Sequence, residues 1–410
     1  MRSNTWRALI LLSLTLMLVS TAMDAQAARR SSLAGNQFIN DPDDMFAFPQ
    51  LTHLYKNRII IDMAPGGFQY NPIEDELESV QFGNGSIVFG DNLVWNFNTG
   101  RSDFLNNTAS WAWGGVDRSH MGLANGLPVT STGFGDRTLE WWDLGLAFHL
   151  GDMPWGVNVS WATDSIELIP ATGESAKAST SMVSFQVGTT LGSVDLAGEI
   201  GMGGYSEEGT GVDPTDANDI DYFNFSLLAR GNVDDFGGVD WRWIAAFASG
   251  SHEPKMADSV KLSSTAFRAS LGPVWGTPGE WEVAAYMSFD YMSDEFDGSN
   301  GAEFKDTESY TSFPAYNMAM EYYLNSWLVA RGGVASHNAT DSFKAGDTDG
   351  EDELKVRDYS LMWTIGLGVD KGNWGLDLAL EEDSLHSGYL PFNGDASDEP
   401  LAYITAWLAW

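Results

Sequence analysis

The residues best equipped for chemistry in this chain are carboxylates. Asp213, Asp216 and Asp219 recur at every third position, and Asp347, Asp349 and Glu351 at every second. Clustered side-chain oxygens suit a hard cation such as calcium. Neither stretch has EF-hand spacing, because Gly350 comes too early and no glutamate closes the loop. The expectation is weak surface calcium, with diffuse cation attraction as the plainer reading, and no other cofactor. The six histidines, His53, His120, His149, His252, His337 and His386, are scattered without a metal-ligand pair. The absence of cysteine excludes a disulfide scaffold, a thiolate metal site and a cysteine nucleophile. No Gly-x-Ser-x-Gly, His-Glu-x-x-His or P-loop occurs, so the chain reads as a non-enzyme. A net charge of −36 over 410 residues excludes a nucleic-acid binder, which needs a basic footprint.

The remaining charges fall into a pattern. In 142–150, Trp142, Leu144, Leu146, Phe148 and Leu150 share one parity, and Asp143, Gly145, Ala147 and His149 the other. Side chains alternate faces along a strand, so one face is apolar and the other small or polar. The segments 155–162, 281–291, 359–369 and 374–381 repeat this alternation. The polar parity gives a set of candidate inward positions: Asp143, His149, Asp195, Glu199, Arg230, Asp240, Arg242, Glu282, Asp290, Glu321, Asp377 and Glu381. Many others of that parity are Gly, Ala or Ser, which leave room inside. Trp327 and Arg331 share a parity, so one of them must break the rule.

The elements that would position these residues are strands. Residues 1–27 carry Arg2 and Arg7, then an apolar run from Ala8 to Val19, then Ala25-Gln26-Ala27, the pattern of a cleaved signal peptide. No later run is apolar enough for a membrane helix. Strands are expected near 58–64, 82–90 and 92–99, and regularly from residue 138 onward. The connections alternate. Short ones lie near 151–154, 192–193, 232–238, 276–280, 325–326 and 371–373. Long acidic ones lie near 164–178, 204–220, 250–259, 293–309, 337–356 and 385–399. Unequal ends of this kind belong to an up-and-down membrane barrel. The expected fold is all-β: a single antiparallel transmembrane β-barrel over 58–410 of about 16 strands, or about 14 if weak strands fail. Residues 28–57 form a periplasmic lead-in or a plug, and 100–137 could also fold inward.

Trp155, Trp241, Trp281, Trp327 and Trp374 recur just after the short turns. Indoles favour the membrane–water boundary, so with Trp410 they are expected to form a girdle at one end. The stretch Ala402-Tyr-Ile404-Thr-Ala406-Trp-Leu408-Ala-Trp410 resembles the C-terminal strand of bacterial outer-membrane β-barrels, in which a final aromatic residue belongs to the assembly signal. That resemblance implies the outer membrane of a Gram-negative bacterium, with short turns in the periplasm and acidic loops outside. It implies as partners the membrane lipid, lipopolysaccharide and the barrel-assembly machinery. The stretch Gly35-Asn-Gln-Phe-Ile-Asn-Asp41-Pro-Asp-Asp44-Met-Phe-Ala-Phe-Pro49 is similar to the N-terminal region of the long-chain fatty-acid transporter class, although Phe48-Pro49 stands where that class tends to have Asn-Pro. There, a related stretch belongs to an inward-folded plug, which would imply an apolar substrate.

A barrel of this size ordinarily encloses a water-filled channel, and charged rings in a channel select ions. The leading expectation is passive diffusion of small hydrophilic solutes with a preference for cations. The alternatives are a plugged barrel taking up hydrophobic molecules, and a surface-contact or structural barrel.

Overall fold

The structure is a computed structural model that describes residues 28–64, 68–71, 76–79, 82–102, 139–168, 176–209, 220–233, 239–254, 261–299, 303–344, 353–381 and 403–410. The signal-peptide segment, both candidate calcium stretches (Asp213, Asp216, Asp219; Asp347, Asp349, Glu351), most of 100–137 and the acidic stretch 385–399 lie outside the described residues.

The strands are β1 (Arg58–Ala64), β2 (Phe68–Asn71), β3 (Glu76–Ser79), β4 (Phe82–Phe89), β5 (Val94–Ser102), β6 (Leu139–Leu150), β7 (Met153–Leu168), β8 (Ala176–Leu191), β9 (Val194–Gly209), β10 (Ile220–Val233), β11 (Asp240–Pro254), β12 (Lys261–Thr277), β13 (Trp281–Ser299), β14 (Glu303–Tyr323), β15 (Leu328–Lys344), β16 (Glu353–Asp370), β17 (Trp374–Glu381) and β18 (Tyr403–Ala409). Among the described residues, β2 and β3 pair only with each other. The rest form a closed antiparallel barrel in chain order, sealed where β1 pairs with both β4 and β18. The expected 16-strand barrel is thus the observed one.

Period-2 alternation decides which face each residue takes. On β13, Ala284, Tyr286, Ser288 and Asp290 are buried, while Trp281, Met287, Phe289 and Tyr291 are exposed. The exterior carries an apolar belt: Leu144, Val157, Phe185, Ile200, Leu227, Leu271, Met318, Leu361 and Leu376 all stand bare. Outward-facing apolar bands about 25 Å tall mark barrels that cross a bilayer. Trp155, Trp241, Trp281 and Trp374 lie within the first three residues of β7, β11, β13 and β17. Trp327 sits in the turn before β15, and Trp410 follows β18. These six Trp residues therefore lie at the short-turn end, together with Trp95 and Trp275. A second aromatic rim closes the belt at the other end: Trp142 stacks on Trp161 at 6.3 Å, Phe225 meets Phe247 at 5.5 Å, and Phe289 contacts both Phe267 and Phe313.

Two expectations need correction. Much of the long acidic connections near 164–178, 204–220, 250–259, 293–309 and 337–356 is strand. β13 and β14 continue to Ser299 and from Glu303, pairing Ser293 with Ser309 and Glu295 with Thr307. Beyond the belt the outward positions change from apolar to Ser, Thr and acid. The hydrophobic alternation stops there, but backbone pairing does not depend on polarity and goes on. The second correction concerns Trp327. β15 begins only at Leu328, so the parity rule does not apply to Trp327, and Arg331 points inward.

A charge at mid-belt should cost far more than one beyond it. Leu227→Arg is expected to destabilise the barrel in vesicles by about 2–4 kcal/mol, and Ser251→Arg by about 1 kcal/mol or less. Denaturant unfolding of the two variants in lipid vesicles checks this.

Candidate functional site: the barrel interior and the segment inside it

The barrel interior is occupied at its Trp-girdle end by residues 28–57. They form α1 (Ala28–Ser32), α2 (Asp44–Ala47) and a 3-10 helix (Pro49–Tyr55). α1 packs on β15–β18, and the 3-10 helix packs on β5–β8. Between them Phe38 rests against Tyr286 of β13, with ring centroids 4.6 Å apart. Leu33, Phe38, Ile39, Ala47 and Phe48 are almost wholly buried.

The segment is built from turns rather than long helices, so its backbone groups need partners from the wall. Amide and hydroxyl side chains supply them. Gln186 donates to the carbonyls of Phe46 (2.8 Å) and Ala47 (3.0 Å), and Asn317 donates to that of Ala34 (2.7 Å). Thr364 and Thr405 accept from the N–H groups of Ala34 and Ala28. Within the segment, Asn36 Oδ1 accepts from the N–H groups of Phe38 and Ile39, which fixes a tight turn. The inward glycines are seats. A Cβ on Gly156 would overlap the backbone of Pro49 and Gln50, and one on Gly333 the backbone of Leu33 and Ala34. Small inward residues, expected to leave room for water, leave room for this chain instead.

Charged groups hold the segment to the wall. Arg230 on β10 bridges Asp44 of the segment (2.8 Å) and Asp195 of β9 (3.2 Å). Arg30 reaches the other oxygen of Asp44 at 2.5 Å. Glu321 on β14 receives Arg29 at 3.0 Å and Arg331 of β15 at 2.7 Å, and Arg331 also pairs with Asp377 of β17. Arg242 donates to the Phe38 carbonyl and stands 4.0 Å from Glu282. Farther from the girdle, Arg268 of β12 pairs with Asp290. Burial pushes the Asp44 carboxyl up, but Arg230 and Arg30 outweigh it and hold the group below its ordinary value.

The twelve sequence candidates therefore divide. Asp195, Arg230, Arg242, Glu282, Asp290, Glu321 and Asp377 enter ion pairs. Asp143 and Glu199 are buried on the inner face. Asp240 is exposed at the start of β11. His149 is exposed at the girdle end, its ring edge-on to His53 at 5.4 Å. Glu381 ends β17, and its side chain lies outside the described residues. Sequence reasoning missed Arg268 and Arg331. The parity of Arg268 on β12 would have found the first, and a later start for β15 the second. It also missed Arg29, Arg30 and Asp44, which lie on short helices where strand parity gives no signal. Among the described residues no three His, Asp or Glu cluster as a metal site would require.

No family model matches the chain. No curated protein matches either. Solved structures similar in fold include CdiB from Escherichia coli, 12% identical, over 86% of this chain and 62% of that one, with a TM-score of 0.39. The toluene transporter TodX of Pseudomonas putida is 9% identical over 94% of this chain and 98% of that one, TM-score 0.36. The siderophore receptor PirA of Pseudomonas aeruginosa is 8% identical over 86% and 80%, TM-score 0.31. The chain spans about three fifths of the length of CdiB. The closed barrel with an apolar exterior is the architecture of outer-membrane β-barrels.

The depressed Asp44 carboxyl gives the segment a pH limit. Its pairing is complete above the ordinary carboxylate range, at about 3.9, and is lost as pH falls through the lower value of the docked state. A spin label on exposed Lys56→Cys should gain mobility as pH drops below about 4. Asp44→Asn should mobilise it at neutral pH, because the change removes the carboxylate that Arg230 and Arg30 share and leaves them only Asp195 and Asp43.

Proposed function

We propose that this protein is a plugged outer-membrane barrel that takes up small hydrophobic molecules, with residues 28–57 as the plug. The observation that carries this reading is the apolar surface shared by segment and wall. It starts at Phe38 and Tyr286 and includes Ile244, Ala246, Ala248, Met292 and Tyr310 farther from the girdle, with the Arg268–Asp290 ion pair set among them. On this reading, these residues form the wall that an apolar molecule follows from the acidic end to the plug. The acids on which a cation-selective channel would depend are mostly matched by arginines. Asp195, Asp290, Glu321 and Asp377 each have a guanidinium partner, so their charge is largely spent on structure.

Intact protein in a planar bilayer should be nearly silent, and deletion of 28–57 should produce ohmic steps. Detergent-solubilised protein should bind hydrocarbons or fatty acids saturably, and Tyr286→Lys should weaken that binding about tenfold or more, since it places an ammonium on the apolar surface. Steady cation-selective conductance of the intact chain would instead favour passive diffusion of hydrophilic solutes.

The membrane-lipid reading has support of its own. On the outer face of β14–β16, just beyond Phe313 and Tyr359 of the belt, lies a groove of about 680 Å³ lined by Thr340, Lys344, Lys355 and Arg357. Three cations at the belt edge of so acidic a chain suit the phosphates of lipopolysaccharide. Replacing all three with Gln should reduce lipopolysaccharide retained through purification at least several-fold, measured by native mass spectrometry. Unchanged retention would remove this partner site.

A further inference from the structure

We infer that the plug is locked by a chain terminus created during export: cleavage after Ala27 gives Ala28 an α-ammonium group that serves as the counter-ion of Asp62. This inference rests on the reading of 1–27 as a cleaved leader, and it deepens the plug reading.

The geometry at this point is specific. Ala28 is 1% exposed, and its nitrogen donates to Thr405 Oγ1 at 2.7 Å. The Thr405 hydroxyl in turn donates to Asp62 Oδ1 at 2.6 Å. The nitrogen therefore stands one hydroxyl away from a buried carboxylate. Asp62 on β1 is 4% exposed, and among the described residues no Lys or Arg forms an ion pair with it. Its neighbours make the shortage worse. Asp41 and Asp377 act on Asp62 from nearby, and with Glu321 they make four carboxylates against Arg29, Arg331 and Arg30, the last also shared with Asp43 and Asp44. A buried acid without a cation is costly. An amide nitrogen at Ala28 supplies a hydrogen bond but no charge.

Hydrolysis changes that. A signal peptidase adds water across the Ala27–Ala28 bond. Ala27 leaves with the carboxylate, and Ala28 keeps the nitrogen, which is protonated to an ammonium. The new group has three donors where the amide had one. It can keep the Thr405 bond and offer the others, with a positive charge, to the carboxylates around it. The expected cleavage bond lies directly before Ala28, the buried residue whose nitrogen bonds to Thr405. On this inference the plug docks fully only in the processed chain, so an unprocessed barrel would be leaky or fail to seal.

The test compares the mature chain beginning at Ala28 with the same chain acetylated at Nα, both refolded in lipid bilayers. Intact mass of protein from the outer membrane should show a chain starting at Ala28. Peptide mapping after brief treatment with an amine reagent should show the Ala28 amine protected at least tenfold relative to unfolded chain. Acetylation should raise the mobility of a spin label on Lys56→Cys and raise bilayer conductance several-fold. In Asp62→Asn, acetylation should no longer matter, because the charge it removes has lost its partner. The inference is overturned if the exported chain starts elsewhere, if the amine reacts as in unfolded protein, or if acetylation leaves label mobility unchanged. These arms separate it from the uptake reading. Amine protection and Asp62-dependent label mobility can hold even where the intact protein binds no hydrocarbon or fatty acid, which would sink the uptake reading alone.

Discussion

Every backbone N–H and C=O that faces hydrocarbon must find a partner within the protein, and a sheet meets that demand only by closing. The closure here is the pairing of β1 with β18, which sets Ile59 opposite Leu408 and Asp62 opposite Thr405. Much else follows from this join. Sixteen strands enclose more space than wall side chains ordinarily fill. The N-terminal segment takes up the space at the girdle end, and the closing strands provide its first anchor, Thr405. The same constraint explains the wall chemistry inside. A turn-rich segment brings unpaired backbone groups into the lumen, and Gln186, Asn317, Thr364 and Thr405 are the side chains that satisfy them.

The arginines work differently from surface cations. Lys261 and Glu253 pair on an exposed hairpin, with each side chain about half exposed; such a bridge contributes little, about 1 kcal/mol at most. Arg230 is 7% exposed and holds one acid of the segment and one of the wall. Removing a partner from so buried a pair strands a charge, which makes docking close to all-or-none. The guanidinium fork suits this bridging because its donors point in fixed, separate directions, as a lysine ammonium's do not.

How much of this could be read from the chain depends on what each feature leaves in the sequence. Membrane strands leave alternation, so Trp281-to-Tyr291 and Trp374-to-Leu380 declared both their structure and their facing. The placement of Trp at the short-turn end was legible from its recurrence just after the short turns. Alternation of polarity ends where lipid ends, so the outer parts of β13 and β14 looked like loops although they are paired. Inward glycines were ambiguous in principle. Gly156 and Gly333 have the same composition whether they border water or a packed backbone, and only the position of 28–57 decides between the two. The arginines of the segment were hidden for a related reason. Arg29 and Arg30 sit at the edge of the leader, where positive charge is read as a sorting signal and not as a ligand for Glu321 and Asp44. Of the candidate site, parity reached most of the charged wall positions but not Arg268 and Arg331, and it could not reach the charged residues of the segment.

On the proposed reading, the division of labour between apolar and ionic contacts has a consequence for uptake. A plug held by apolar packing alone would compete with an apolar cargo for every contact it has, and a good cargo would simply displace it. A plug held by ion pairs alone would not notice the cargo. Here Phe38 meets Tyr286 at the end of the apolar inner surface, while Asp44, Arg29 and Arg30 grip wall charges that hydrocarbon cannot satisfy. An apolar molecule can thus contest the first set of contacts without touching the second. The segment can yield locally around Phe38 while its ends stay anchored on Thr405 and Gln186, and the lumen is not left open to ions.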